Sequence, residues 1–228
     1  MGEPLTATRT FPNVVNGHLR YRSTSSDVGH NVVGMSDDEL RELLALIASD
    51  TKAVRYAAVE RLRAALPAIR EAMLAAMTSP DWKVRASAAA VLDHAEQDAA
   101  VEQALRAASR DTDARVRDSA FHSLSCGHCK PDGCLADDAV DLLVDGMLHD
   151  PSVRVRRKLA GGMMWGQQGR RPPIVEAFRE ILTTDTDLVL RDRAATFLAT
   201  GDVPRHGSHY REWLPAFTLR KAELLTTS

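Results

Sequence analysis

The chain has 228 residues, of which 26% are charged and 5% aromatic, and its formal net charge is −2. That length builds one continuous core or two small ones, mostly from aliphatic side chains. The near-neutral charge supplies no bulk attraction to nucleic acid or acidic membranes. No run approaches the roughly 20 apolar residues that cross a bilayer, and Met-Gly-Glu-Pro-Leu-Thr at the start has no basic stretch followed by an apolar one. A cytoplasmic location without membrane attachment is the expectation.

In chain order, residues 1–35 lack helical periodicity. Asn16-Gly17 between Val14-Val15 and His18-Leu19 favours a tight hairpin turn, but a lone hairpin is marginal in water. An extended or mobile N-terminal arm is therefore expected. The helical body starts at Ser36, which with Glu39 forms a capping box. Leu40, Leu43, Leu44 and Ile47 follow at helical spacing, and residues 51–66 make the second helix of the hairpin. Pro67 opens a second hairpin, about 67–94. Further hairpins cover about 96–125, 136–164 and 172–199. Trp213, Leu214, Phe217, Leu219 and Leu224 mark residues 201–228 as a short C-terminal cap or tail, because the open end of a stack needs covering.

One phrase organises this body. Val54-Arg55, Ala58, Leu62 returns as Val84-Arg85, Ala88, Leu92 and as Val116-Arg117, Ala120, Leu124. It returns more loosely as Val155-Arg156, Leu159, Met163 and Leu190-Arg191, Ala194, Leu198. Asp50, Asp81, Asp113, Asp150 and Asp187 lie just upstream. A repeat of this period means stacked helical hairpins. The alanines let helices approach closely. Each Arg has the fork to span successive repeats and meet an Asp or backbone carbonyls, a structural role.

Asp-x-x-Val-Arg-x-x-Ala-x-x-x-Leu in a second helix resembles the HEAT repeat in its short bacterial form, over roughly residues 36–200. The resemblance implies an all-α, right-handed α-solenoid of about five HEAT-like hairpins whose second helices line the concave face. Proteins of this kind serve as scaffolds, adaptors, bilin lyases, deoxyhypusine hydroxylases and alkylpurine DNA glycosylases, and fold alone does not choose among them. The hydroxylases hold iron with paired His-Glu dipeptides, and this sequence has no such dipeptide.

Between Arg117 and Arg156 the repeat is lengthened by several residues, and the solenoid carries a cysteine-containing loop, 126–135. It contains all three cysteines: Cys126, Cys129 and Cys134. The Cys-x-x-Cys spacing lets two thiolates face one metal, Cys134 supplies a third, and His122, one turn before Cys126, is the best fourth ligand of a structural zinc site. Three unliganded loop thiols are the competing reading. Cys-Gly-His-Cys-Lys also matches the active string of protein disulfide isomerases. Those thiols sit at a helix N-terminus, whereas Cys126 follows a helix end, where the dipole has the opposite sign.

Charge is unevenly spread. First helices lean acidic and second helices basic, most strongly at Arg154, Arg157 and Lys158 with Arg170 and Arg171 beyond. Gly161-Gly162 and Trp165 end the same hairpin, and exposed Trp beside Arg is hot-spot chemistry. No organised catalytic set is visible. The leading expectation is a non-enzymatic interaction module that binds a protein or peptide partner on its concave face through Arg154, Arg157, Lys158, Trp165, Arg170 and Arg171. The alternative is a nucleic-acid-binding HEAT protein resembling the alkylpurine DNA glycosylases, which would use the same basic surface.

Overall fold

Val, Ala and Leu at i, i+4 and i+8 form one stripe on a helix, and a stripe of that kind must be covered. A computed structural model shows the covering. It describes residues 35–96, 98–125, 137–165, 171–200 and 210–227. Among these residues every regular element is an α-helix and none is a strand. The helices are α1 (Asp37–Leu46), α2 (Lys52–Ala64), α3 (Arg70–Ala76), α4 (Trp82–Leu92), α5 (Ala99–Ala108), α6 (Ala114–Ser125), α7 (Asp137–His149), α8 (Val153–Trp165), α9 (Pro172–Thr184), α10 (Leu188–Thr200) and α11 (Tyr210–Thr227).

They pack as an α-solenoid. Neighbours in the chain pair as α1 with α2, α3 with α4, α5 with α6, α7 with α8 and α9 with α10. The second helices also lie side by side, α2 on α4 on α6 on α8 on α10. The repeat alanines explain how they fit: Ala58, Ala88, Ala120 and Ala194 are all buried, and so are Leu62, Leu92, Leu124 and Leu159. A fully buried leucine contributes about 2 kcal/mol from lost apolar contact with water.

The core has two main bodies that meet at α6. Leu43, Ile47, Leu62, Met73, Leu92 and Leu105 fill the earlier body, which Leu124 joins from α6. Phe121, also on α6, belongs to the later body with Leu143, Met147, Leu159, Phe178 and Phe197. The Phe178 and Phe197 rings stack with centroids 4.1 Å apart. Gly146 is required here, because a Cβ would lie 2.5 Å from the Phe121 ring. α11 packs on α10, where Lys221 meets Asp192 at 2.6 Å and Leu224 rests against the core.

Two local expectations are modified. Ser36 does cap α1, accepting from the Glu39 N–H at 3.2 Å. The Glu39 carboxylate instead accepts from Arg61 of α2 at 2.7 Å, tying the hairpin together. Pro67 does not begin a helix directly. Residues 65–69 form turns, the Arg70 N–H donates to the Pro67 carbonyl at 3.0 Å, and α3 starts only at Arg70. Residues 1–34, with the expected arm and the Asn16-Gly17 turn, lie outside the described residues.

Candidate partner-binding face

The repeat arginines stand at the turns that enter the second helices. Six residues before each one is a short polar side chain: Ser49, Ser79, Asp111, Asp150 or Asp185. Each accepts the N–H of the residue two positions on, at 2.7 to 3.2 Å, which closes the turn. The arginine then holds the turn from the helix side. Arg55, Arg85 and Arg117 each donate through one nitrogen to two consecutive turn carbonyls, and Arg156 to the Asp150 carbonyl at 2.9 Å. Arg191 donates through Nε to the Leu182 carbonyl at 3.0 Å.

The other edge of the guanidinium reaches the next repeat. Arg85 grips Asp111 with two bonds of 2.7 and 2.9 Å. Arg117 grips Asp150 with two of 2.7 and 2.8 Å. Arg156 lies 3.3 Å from Asp185. Arginine serves here because its planar fork bonds carbonyls and carboxylate at once. The upstream aspartates take two roles, and Asp187 takes both, since it also receives Arg157 of the neighbouring repeat. Those six residues before the arginine receive the neighbouring repeat. Asp81, Asp113 and Asp187, four before it, cap their own helices by accepting from Lys83, Arg115 and Leu190 N–H groups at 2.8 to 2.9 Å. Hydrogen bonds from Arg85 hold the Asp111 carboxyl below its ordinary range, and those from Arg157 bring Asp187 down to about 2.

The residues expected to bind a partner lie on α8 and just beyond it. Arg154, Lys158 and Gly161 follow the i, i+4, i+7 rule and share a face. Arg154 is exposed and makes no ion pair among the described residues. The other cations are engaged by the stack. Arg157 donates twice to Asp187, at 2.9 and 2.5 Å. Lys158 pairs with Asp118 of α6. Arg193 of α10 passes over Gly161 to reach the Arg157 carbonyl, and a Cβ on Gly161 would lie 3.1 Å from that guanidinium. Gly161 thus serves close packing, whereas a Cβ on Gly162 would meet open space. Arg171 is the residue at the N-cap of α9. Arg170 and the Trp165 side chain lie outside the described residues.

Trp82 opens α4 between two cations, with the Arg115 guanidinium 3.2 Å and the Arg55 guanidinium 5.8 Å from its ring. Its faces are therefore covered from within the stack. At the opposite end of the second helices, Asp93 is buried between two imidazoles, with His94 Nε2 at 3.7 Å and His122 Nε2 at 3.6 Å. Burial, followed by the nearby Arg63 charge, pushes the His94 imidazole below its ordinary value. This juxtaposition was not legible in the sequence, since His122 suggested itself only through its spacing to Cys126. Cys126, Cys129 and Cys134 lie outside the described residues. Among the described residues, no three His, Cys, Asp or Glu side chains come together to hold a metal ion.

Residues 70–164 match the family model of HEAT repeats. That segment carries HEAT repeats. The matched segment runs from α3 to the last turn of α8, the part of the stack in which the arginine and aspartate rungs are most regular. A solved engineered protein from a structural genomics consortium is similar at 21% identity and a TM-score of 0.44, over 83% of this chain and 90% of that one. No curated protein matches this chain. No helix among the described residues is long and apolar enough to cross a membrane.

Proposed function

We propose that this HEAT-repeat chain is a non-enzymatic cytoplasmic scaffold that holds a protein or peptide partner on its concave, second-helix face. The observation that carries the reading is the unbroken layer α2, α4, α6, α8 and α10. The layer is cross-linked by Arg63 to the Ala90 carbonyl, Lys158 to Asp118 and Arg193 to the Arg157 carbonyl. Such links hold the helices in one register without using their outer surface, and a rigid surface loses little freedom on binding. The contact set is Arg154, Arg157, Lys158, Trp165, Arg170 and Arg171. Arg154 is its clearest member, because its charge is not engaged by the stack.

Affinity capture from the native host followed by mass spectrometry tests the reading, with the unaltered chain compared with Arg154→Ala/Lys158→Ala. Arg157 is left in place because it holds Asp187. A discrete protein that is captured by the unaltered chain and lost from the variant, at unchanged melting temperature, is the expected result. Capture that ignores both substitutions removes this face. Recovery of nucleic acid alone, with an affinity that falls steeply as salt rises, replaces the protein partner by the glycosylase-like alternative.

A further inference from the structure

The surface along the turn edge of the stack changes character between its two ends. The three residues that lead from each capping position into its second helix set what this edge displays. Three and two residues before the repeat arginine stand Lys52 and Ala53 in α2, Trp82 and Lys83 in α4, Ala114 and Arg115 in α6, Val153 and Arg154 in α8, and Leu188 and Val189 in α10. In the earlier layers the edge is closed upon itself. Trp82 is covered by Arg115 and Arg55, Lys83 meets Asp50 at 2.8 Å, and Arg115 meets Asp113 at 2.6 Å.

The last two layers are open. Leu188 is 75% exposed, Val189 42% and Val153 36%. These three are half of the large apolar side chains exposed among the described residues, and they occupy the first turns of two neighbouring helices. Singly exposed apolar residues are ordinary on any surface, but a cluster of them marks a contact site. The Arg157–Asp187 pair joins the two turns. Arg157 lies one helical turn after Val153, and Asp187 immediately precedes Leu188.

The charge around this apolar step has one sign. Each of the turn aspartates has an arginine partner: Asp150 has Arg117, Asp185 has Arg156 and Asp187 has Arg157. Arg154 makes no ion pair among the described residues, and neither α8 nor α10 has an acidic residue in its first turn. α8 is 13 residues long, so the positive end of its dipole adds to the Arg154 charge, whereas at α10 the Asp187 carboxylate already accepts from the Leu190 N–H.

We propose that the turn edge formed by Val153, Arg154, Leu188 and Val189 docks an extended acidic peptide segment. Its apolar side chain lies on the Leu188–Val189–Val153 step, and a neighbouring carboxylate meets Arg154 and the α8 N-terminus. Packed helices are spaced about 8–10 Å apart. An extended chain rises about 3.1–3.4 Å per residue, so residues three apart in the segment meet successive layers. The proposal rests on the scaffold reading; it shares Arg154 with the α8 face assigned above, while Leu188 and Val189 are outside that contact set.

A random-peptide phage library panned on the full chain supplies the probe. The enriched peptide is then synthesised and its affinity measured by fluorescence anisotropy against the unaltered chain, Leu188→Ser/Val189→Ser, Arg154→Glu and, as a control, Arg179→Ala, an exposed cation that pairs with Glu176 within α9. Enrichment of Asp or Glu within three residues of Leu, Ile or Phe is expected. Affinity should fall at least about tenfold for the first two variants and stay unchanged for Arg179→Ala, with all four melting together. Three results overturn the proposal: no enrichment, enriched peptides without a carboxylate, or binding indifferent to Leu188→Ser/Val189→Ser. Binding lost only with Arg154→Glu also overturns it, yet leaves the α8 face standing as a partner site.

Discussion

The Arg55 and Arg117 rungs are built from the same phrase and hold their own turns in the same way, yet they differ in what they reach. Arg117 lays its second edge on Asp150, and the two side chains are 9% and 3% exposed. Six residues before Arg85, where Arg55 would find the equivalent acceptor, stands Ser79. Arg55 instead bonds its own turn and lies over Trp82. An arginine that serves as a local clip at the start of the stack becomes a buried link between repeats in its middle. The difference comes from the next repeat, not from the arginine's own helix.

The largest expected effect follows from breaking the central rung. Arg117→Ala should lose about 3 kcal/mol or more of stability in urea denaturation, because it leaves Asp150 buried without its cation. Arg55→Ala should lose less than about 1 kcal/mol, because Arg55 is half-buried and its loss leaves no buried carboxylate without a cation. Equal losses at the two sites would mean that burial and the Asp150 grip do not distinguish them. A double variant with Asp150→Ala should be less destabilised than the sum of the two single changes, the coupling expected of a pair in contact.

Acid should separate the two ends next. Asp187 titrates at about 2 because Arg157 donates to its charged form, and Asp111 is lowered chiefly by Arg85. These folded values lie below the roughly 3.9 of an unfolded aspartate. The stability contributed is therefore complete above pH ~4 and is lost as pH falls through the folded values. The melting temperature should drop between pH ~4 and ~2. Hydrogen exchange should report earlier opening near α6 and α10 than at the Ser49–Thr51 turn, where Asp50 meets Lys83 at an exposed position that water screens. An Arg157→Ala variant should show a shallower acid limb.

The smallest expected effect is a gain. Ser79→Asp places a carboxylate where Asp111 and Asp150 stand in later turns and gives Arg55 a partner. A rise of about 0.5 kcal/mol is expected, small because this rung is less buried than the central one. A loss of stability would show that Trp82, which shares Arg55, already occupies the position the fork would need.

Much of this arrangement was legible in the residues before any coordinate. The Val-Arg, Ala, Leu spacing places an apolar stripe on each second helix, and burial of Ala58, Ala88 and Leu92 follows from that local pattern. Although Arg55 finds no carboxylate, that a repeat arginine such as Arg85 would meet an aspartate or backbone carbonyls was also legible. Which aspartate it meets was not, because Asp111 and Asp113 lie two residues apart and the capping and receiving roles differ only in the folded turn. The basic run at Arg154, Arg157 and Lys158 read as one patch along the chain. In the stack, Asp187 and Asp118 from neighbouring helices take up two of its three charges.

Helix identity and layer order were written in the order of residues, since 3.6-residue periodicity and turn chemistry act between near neighbours. Partner choice among the charges, the handover of the core between Leu124 and Phe121 on one helix, and the exposure of Leu188 and Val189 emerged from stacking. Side chains 30 or more residues apart, such as Arg117 and Asp150, are brought within hydrogen-bond reach only when successive hairpins pack. An ion pair formed there depends on both partners being withdrawn from water together, which no local pattern encodes.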